Sequence, residues 1–389
     1  MKQRPCLRRI GISLAVTLLF VTLHLTAAAL SSAESRKSIN EAALRLVQFC
    51  IDPKGGFDER DIATLVDYVL SVKSDRTHVL PESTGCPGAY QEFDTKIVFP
   101  QFMDYSFNAL IPSVVTRPSS LRYSLWRDPQ GRVQRMPNSW GAILQAGKPL
   151  ILHGLQHDSN TPDLTTGVYY EYDLKRTLVL THYKGRPVLV SISKQIDLSG
   201  VGEKGFILGN DSDWNYYYSG EPGSAKSGLG WVKTYIYDYY SVTIYVESGA
   251  THAKLRTGVF QWIRAGWSGI NFVKPSHIIS GMERFARNNR IVLESPHLPA
   301  PNQMIATYQG LSKMPANELT SKYKALQQAR RALALRDGKI GKEKAGEPAS
   351  IAKTSKEQMM EELMLEYLKG ALGKPTPLST EFMDRISSL

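Results

Sequence analysis

Val168-Tyr169-Tyr170-Glu171-Tyr172-Asp173 opens the stretch that decides the fold. It continues through Thr177-Leu178-Val179-Leu180-Thr181-His182 to Val188-Leu189-Val190-Ser191-Ile192-Ser193. Each block alternates with period two, the pattern of a strand that turns one face to a core. Val168, Tyr170 and Tyr172 oppose Tyr169, Glu171 and Asp173. Leu178, Leu180 and His182 oppose Thr177, Val179 and Thr181, and Val188, Val190 and Ile192 oppose Leu189, Ser191 and Ser193. Leu174-Lys175-Arg176 and Lys184-Gly185-Arg186-Pro187 read as the short connections between them, so the expected arrangement is an antiparallel meander.

The same habit extends outward. Trp231–Asp238, Tyr240–Val246 and Lys254–Ile263 read as further strands. Leu121–Arg127 and Arg132–Met136 flank the turn Asp128-Pro129-Gln130-Gly131. Helices bound this region on both sides. Leu44 and Val47, then Ile62, Leu65, Val66, Val69 and Leu70, recur at helical spacing before it, and Pro275 opens a helix near its end. Farther on, Asn317–Arg336 carries Leu319, Tyr323, Leu326 and Leu333 on one stripe. Asp337–Thr354 reads as a charged linker. Ser355-Lys356-Glu357-Gln358 is a capping box ahead of the amphipathic run Met360, Leu363, Met364, Tyr367 and Leu368.

The sum is an α+β fold: an antiparallel β-sheet core with an N-terminal helical segment and a charged helical C-terminal tail. In outline this resembles the lipid-binding helix-grip domains, in which a curved sheet grips one long helix. The expected segments are a leader over 1–33, a helical segment over 34–90, a β-rich domain over 91–310 and a helical, partly flexible extension over 311–389.

Lys2, Arg4, Arg8 and Arg9 precede a stretch from Ile10 to Ala33 without charge, ending in small residues around Ala29 and Ala33. A basic start, an apolar centre and a small-residue cleavage site make a secretory signal. The expected location is therefore periplasmic or extracellular, with a retained N-terminal anchor as the alternative. Export suits the cysteines. Cys6 belongs to the leader, and Cys50 and Cys86 are expected to pair as one disulfide in an oxidising compartment. The formal charge is +11. Removing the four leader residues from the 47 basic ones leaves 43 against 36 acidic. This excess is modest and interleaved, which argues against a nucleic-acid partner.

Chemistry-bearing clusters are few. His153, His157, Asp158 and Asp163 fall within eleven residues and supply the imidazoles and carboxylates of a general-base or metal site. A polar loop is the competing reading. Asp211, Asp213 and Asn215 begin like a calcium loop, but Tyr216 stands where glycine is needed and Pro222 where glutamate is. There is no Gly-x-Ser-x-Gly elbow and no phosphate-binding glycine loop, so no cofactor is expected.

The tyrosines carry the sharper signal. Nineteen Tyr are present, many in the β-rich region, and tyrosine offers a flat apolar ring with a polar tip. Strict alternation puts Tyr235, Tyr237 and Tyr239 on one face, and Tyr170 and Tyr172 share a face of another strand. The leading expectation is thus a non-enzymatic exported binder of a lipid-like or amphipathic molecule. The alternatives are a secreted hydrolase using His153, His157 and Asp158, and an envelope interaction protein whose 355–372 helix docks on a partner.

Overall fold

The computed structural model describes residues 37–71, 75–128, 130, 132, 148–226, 230–249, 254–341 and 354–378. The leader, all but the first residue of Arg132–Met136, and most of the expected linker lie outside the described residues. In chain order the elements begin with helix α1 (37–51) and α2 (Glu59–Leu70). Strands β1 (Thr77–Ser83) and β2 (Cys86–Thr95), helix α3 (Phe99–Ser106), and strands β3 (Leu121–Arg127) and β4 (Leu150–Asn160) follow. Next come β5 (Val168–Tyr169), β6 (Glu171–Tyr183), β7 (Arg186–Gln195), β8 (Glu203–Ile207) and β9 (Tyr216–Pro222). The strands end with β10 (Ser224–Lys226), β11 (Gly230–Val232), β12 (Tyr235–Ser248), β13 (Lys254–Trp267) and β14 (Ile270–Asn271). Helices α4 (Pro275–Leu293), α5 (Pro301–Lys313), α6 (Ala316–Arg336) and α7 (Lys356–Ala371) complete the described chain.

The main sheet has nine strands in the order β1-β2-β13-β12-β7-β6-β4-β3, with β14 beside β13. Every pairing in it is antiparallel, and the sheet curls into a half-barrel, so the fold is α+β. Three of its hairpins turn on X-Gly pairs. Lys184 and Gly185 join β6 to β7 with φ of 49° and 75°. Two successive positive φ values form the turn whose twist matches the flanking strands, and glycine accepts the second without a Cβ penalty. Thr84-Gly85 does the same between β1 and β2, and Ser268-Gly269 between β13 and β14. The expected glycine-proline loop around Cys86 is therefore a hairpin, and β2 crosses the expected segment boundary at 90/91.

Leu174-Lys175-Arg176 is not a turn. It lies inside one continuous strand, β6, because its side chains find partners on both faces. Lys175 Nζ crosses to the Ile51 carbonyl of α1 at 2.9 Å, while Arg176 points into the opposite face.

Both faces of the sheet are covered. On the convex face Val179, Val188, Val190, Ile192, Val242, Ile244, Phe260 and Trp262 are buried under α1 and α2. On the concave face Leu178, Leu180, Leu189 and Tyr245 share a second core with α3, α5, α6 and α7. The alternation predicts one face in the core, whereas Leu178-Val179-Leu180 and Val188-Leu189-Val190 are buried on both faces. Removing any of these side chains would cost about 2–5 kcal/mol.

Helix α7 is buried along its whole middle, from Gln358 to Lys369, charged residues included. Ser355 caps it by accepting the Gln358 amide at 3.1 Å, as the capping-box pattern predicts. The amphipathic face expected to meet a partner is thus packed inside this chain. None of the described helices is long and apolar enough to cross a membrane.

The expected disulfide is absent: Cys50 and Cys86 are buried free thiols. Cys50 Sγ donates to the Lys175 and Ile192 carbonyls, over β6 and β7, whereas Cys86 begins β2. Strands β13 and β12 lie between β2 and β7. Three strand spacings of roughly 4.8 Å exceed the Cα separation of about 7 Å that a disulfide tolerates.

Candidate functional site

The concave face changes character along its strands. Next to the apolar half, Arg176 on β6 stands opposite Ser193 on β7, Ser193 opposite Ser241 on β12, and Ser241 opposite Gln261 on β13. This polar row crosses four neighbouring strands at mid-sheet. It lines a cavity of about 270 Å³ whose wall also includes Asp158, Tyr172, Tyr239, Thr243 and, from α4, Gly281 and Phe285. A smaller space of about 100 Å³, lined by Ser124, Gln156, Leu178 and Glu361 among others, shares Arg117 and Arg176 with the larger one.

Arg176 is 7% exposed. Its Nη1 donates to Gln156 Oε1 at 3.0 Å and its Nη2 to Ser191 Oγ at 2.8 Å. Burial, and then the neighbouring positive charge of Arg117, lower its pKa, with Asp158 acting in the other direction. Arg117 Nη2 donates to the Tyr245 hydroxyl at 3.3 Å. Asp158 Oδ1 accepts from Gln156 Nε2 at 2.6 Å. On α7, Glu361 Oε2 accepts the Ser124 amide at 2.9 Å, and burial raises its carboxyl well above the usual range.

The tyrosines divide. Tyr172 and Tyr239 both line the larger cavity, their ring centres 6.1 Å apart, and burial raises both phenols. Tyr170 stands beside it, its hydroxyl donating to Thr234 Oγ1 at 3.1 Å. Tyr235 and Tyr237 are not in the cavity wall. The register of β12 against β13 slips between Ile236 and Asp238, so Tyr237 is an extra, bulged residue. A bulge inverts the alternation. Ile236 faces the cavity before it, and Tyr239, Ser241, Thr243 and Tyr245 face it afterwards. Tyr237 instead accepts the Gly269 amide at 2.8 Å, outside the cavity.

The histidine cluster does not converge. β4 is a regular strand, so His153 and His157 project from one face and Asp158 from the other. His153 touches Phe49 of α1 and shares a hydrogen bond with Thr177 Oγ1 at 2.8 Å. His157 Nδ1 meets Asp173 Oδ1 at 2.9 Å. Asp163 caps its own loop by accepting the Thr165 and Thr166 amides at 2.7 and 2.6 Å. The stretch 153–163, which reads as a strand running into a polar loop, stays in strand as far as Asn160, and strand geometry is what separates these residues.

Asp211, Asp213 and Asn215 do not gather either. Asp211 is paired with Arg284 at 2.6 Å, while Asn215 Oδ1 accepts Lys369 Nζ at 2.5 Å and its Nδ2 donates to the Pro375 carbonyl. Among the described residues no group of three His, Cys, Asp or Glu could hold a metal ion.

The residues that build the cavity were visible only indirectly. Ser191 and Ser193 interrupt an otherwise apolar alternate set, and Arg176 sits in what reads as a turn. A polar run confined to one face of a strand whose other face is wholly apolar is the signal that would have found them. No family model matches the chain, and no curated protein matches it significantly.

Proposed function

We propose that this protein binds a small amphipathic molecule in the trough of its curled sheet. One observation carries the reading: a cavity of about 270 Å³ whose wall joins hydroxyls and guanidiniums to Leu174, Ile236, Val259 and Ile263. A concave space with an apolar wall and a few convergent polar groups is the usual form of a ligand site, and this one falls just below the roughly 300–1,000 Å³ range of such sites. Its size favours a compact ligand over a long acyl chain. The leader over 1–33 supports placing this binding outside the cytoplasm, and N-terminal sequencing of the protein from its host tests that part.

Gly281 supplies the test of the cavity. It stands exposed at the rim on α4, and a Cβ there would meet nothing within 4 Å. A helical glycine costs up to about 1 kcal/mol relative to alanine, so Gly281→Ala should fold at least as well as the parent chain. Gly281→Trp should close the mouth. Native mass spectrometry of host-purified protein should find a small molecule on the parent chain and on G281A, and none on G281W. Equal occupancy in G281W, or a parent chain that is empty and takes up no amphipathic probe, would overturn the reading.

A further inference from the structure

We infer that the ligand of this trough carries an oxyanionic head, seated between Arg117 and Arg176. The inference rests on the ligand-binding reading above and names the chemistry of its ligand.

Five arginines are buried among the described residues: Arg122, Arg176, Arg256, Arg284 and Arg330. Four have carboxylates in direct contact. Arg122 meets Glu362 at 2.8 Å, Arg256 meets Asp94 at 2.8 Å, Arg284 meets Asp211 at 2.6 Å, and Arg330 meets both Glu362 and Glu366. The fold thus supplies a counter-charge wherever it buries a guanidinium, as the cost of desolvating a charge requires. Arg176 is the exception. Its hydrogen-bond partners, Gln156 and Ser191, are neutral, and it forms no ion pair among the described residues. Nor does Arg117, which bonds the Tyr245 hydroxyl, have one.

Both guanidiniums line the same space, so two like charges converge on it. The other charged groups of the larger cavity are mostly committed. Arg284 belongs to Asp211, and Asp163 caps its loop. Asp158 and Asp163 share the wall, but neither forms an ion pair with Arg117 or Arg176, so both guanidiniums keep a place for an oxyanion in contact. On the smaller side Glu361 accepts the Ser124 amide, burial raises its pKa, and Glu357 is only partly buried at the start of α7. An oxyanion from outside would supply the charged contact that both guanidiniums lack.

Neutral donors stand beside the guanidiniums. Ser191 Oγ accepts from Arg176, and Ser241 Oγ accepts from the Tyr239 hydroxyl at 3.1 Å. Each serine therefore has its own hydrogen left to donate. Planar guanidinium forks with adjacent hydroxyls are well suited to a carboxylate or a similar oxyanion. The apolar wall opposite takes the body of the molecule.

Calorimetry with matched probes tests this. Octanoate and phenylacetate should bind the parent protein at least tenfold more tightly than octanol and 2-phenylethanol. Arg117→Gln, at a partly exposed position, should erase that preference and leave the alcohol affinity unchanged. Arg176→Gln should do the same, with circular dichroism as the check that it folds. Acids and alcohols binding equally to the parent would overturn the oxyanion and leave the cavity reading standing. Failure of every probe, in the parent and in G281A alike, would overturn both readings.

Discussion

Glu362 Oε1 accepts the Arg122 Nε–H at 2.8 Å, a buried contact between β3 and α7 across 240 positions of sequence. The same carboxylate takes bonds from Arg330, from the Tyr323 hydroxyl at 2.9 Å and from Gln358 and Gln327 at 3.1 and 3.2 Å. It is the hub that holds α7 in place. Glu362→Gln would leave the buried Arg122 without its carboxylate and Arg330 with Glu366 alone, and loss of one partner from such a cluster costs about 3–5 kcal/mol. Urea unfolding at pH 7 should show that loss. Despite burial, Arg122 and Arg330 hold the Glu362 pKa down at about 2, from an ordinary 4.5. Its contribution is therefore full above pH 4.5 and is lost as pH falls towards 2. The gap between the parent and E362Q should narrow across that window.

The adjacent Glu361 should behave in the opposite sense. Its carboxyl accepts the Ser124 amide, and burial raises its pKa. A carboxyl that is easier to protonate in the folded state favours folding at low pH and opposes it as pH rises above the ordinary value. Glu361→Gln keeps an acceptor for Ser124 and removes the charge. It should match or exceed the parent in stability at pH 7, with any gain disappearing below about pH 4.5. A loss at pH 7 as large as that of E362Q would contradict the assignment.

The free thiols have a direct chemical readout. Cys50 and Cys86 are both buried, and burial is the main cause of the raised pKa of each. Both should resist iodoacetamide in the folded protein and react fully on unfolding without reductant, as peptide masses would reveal. Recovery of a Cys50–Cys86 linked peptide from host protein would refute this. Cys86→Ala should then lack the roughly 2–4 kcal/mol penalty of losing a disulfide.

How much of this was legible in the sequence depended on whether the deciding interaction was local. The β6–β7 hairpin was, because period-two alternation and Lys184-Gly185 act within a few residues. The α4, α6 and α7 helices were legible for the same reason, through Pro275, the Leu319-Tyr323-Leu326 stripe and the Ser355 cap. The bulge at Tyr237 was not, because nothing in Tyr235–Tyr240 marks which residue loses its partner on β13. The fate of α7 was hidden more deeply. Glu361, Glu362, Glu366 and Lys369 read as a solvated face, and only partners as distant as Arg122 and Asn215 make their burial tolerable. The cavity was half legible: Tyr172 and Tyr239 were named, while Arg176 was misplaced into a turn.

His157 and Asp158 provide the last test, because adjacent strand residues report on opposite faces of the sheet. His157 meets a partly exposed Asp173 on the convex side, and such a pair is worth about 0–1 kcal/mol. His157→Ala should leave ligand retention and octanoate affinity unchanged. Asp158 shares the cavity with Arg117 and Arg176, so Asp158→Asn removes a negative charge beside the oxyanion seat. Octanoate binding should tighten by on the order of 1 kcal/mol, the scale of a charge at intermediate range in an effective dielectric near 20. Octanol binding should not change. If H157A abolished binding and D158N did not alter it, the functional face would be the convex one, and the cluster of His153 and His157 would have to be reconsidered as the site.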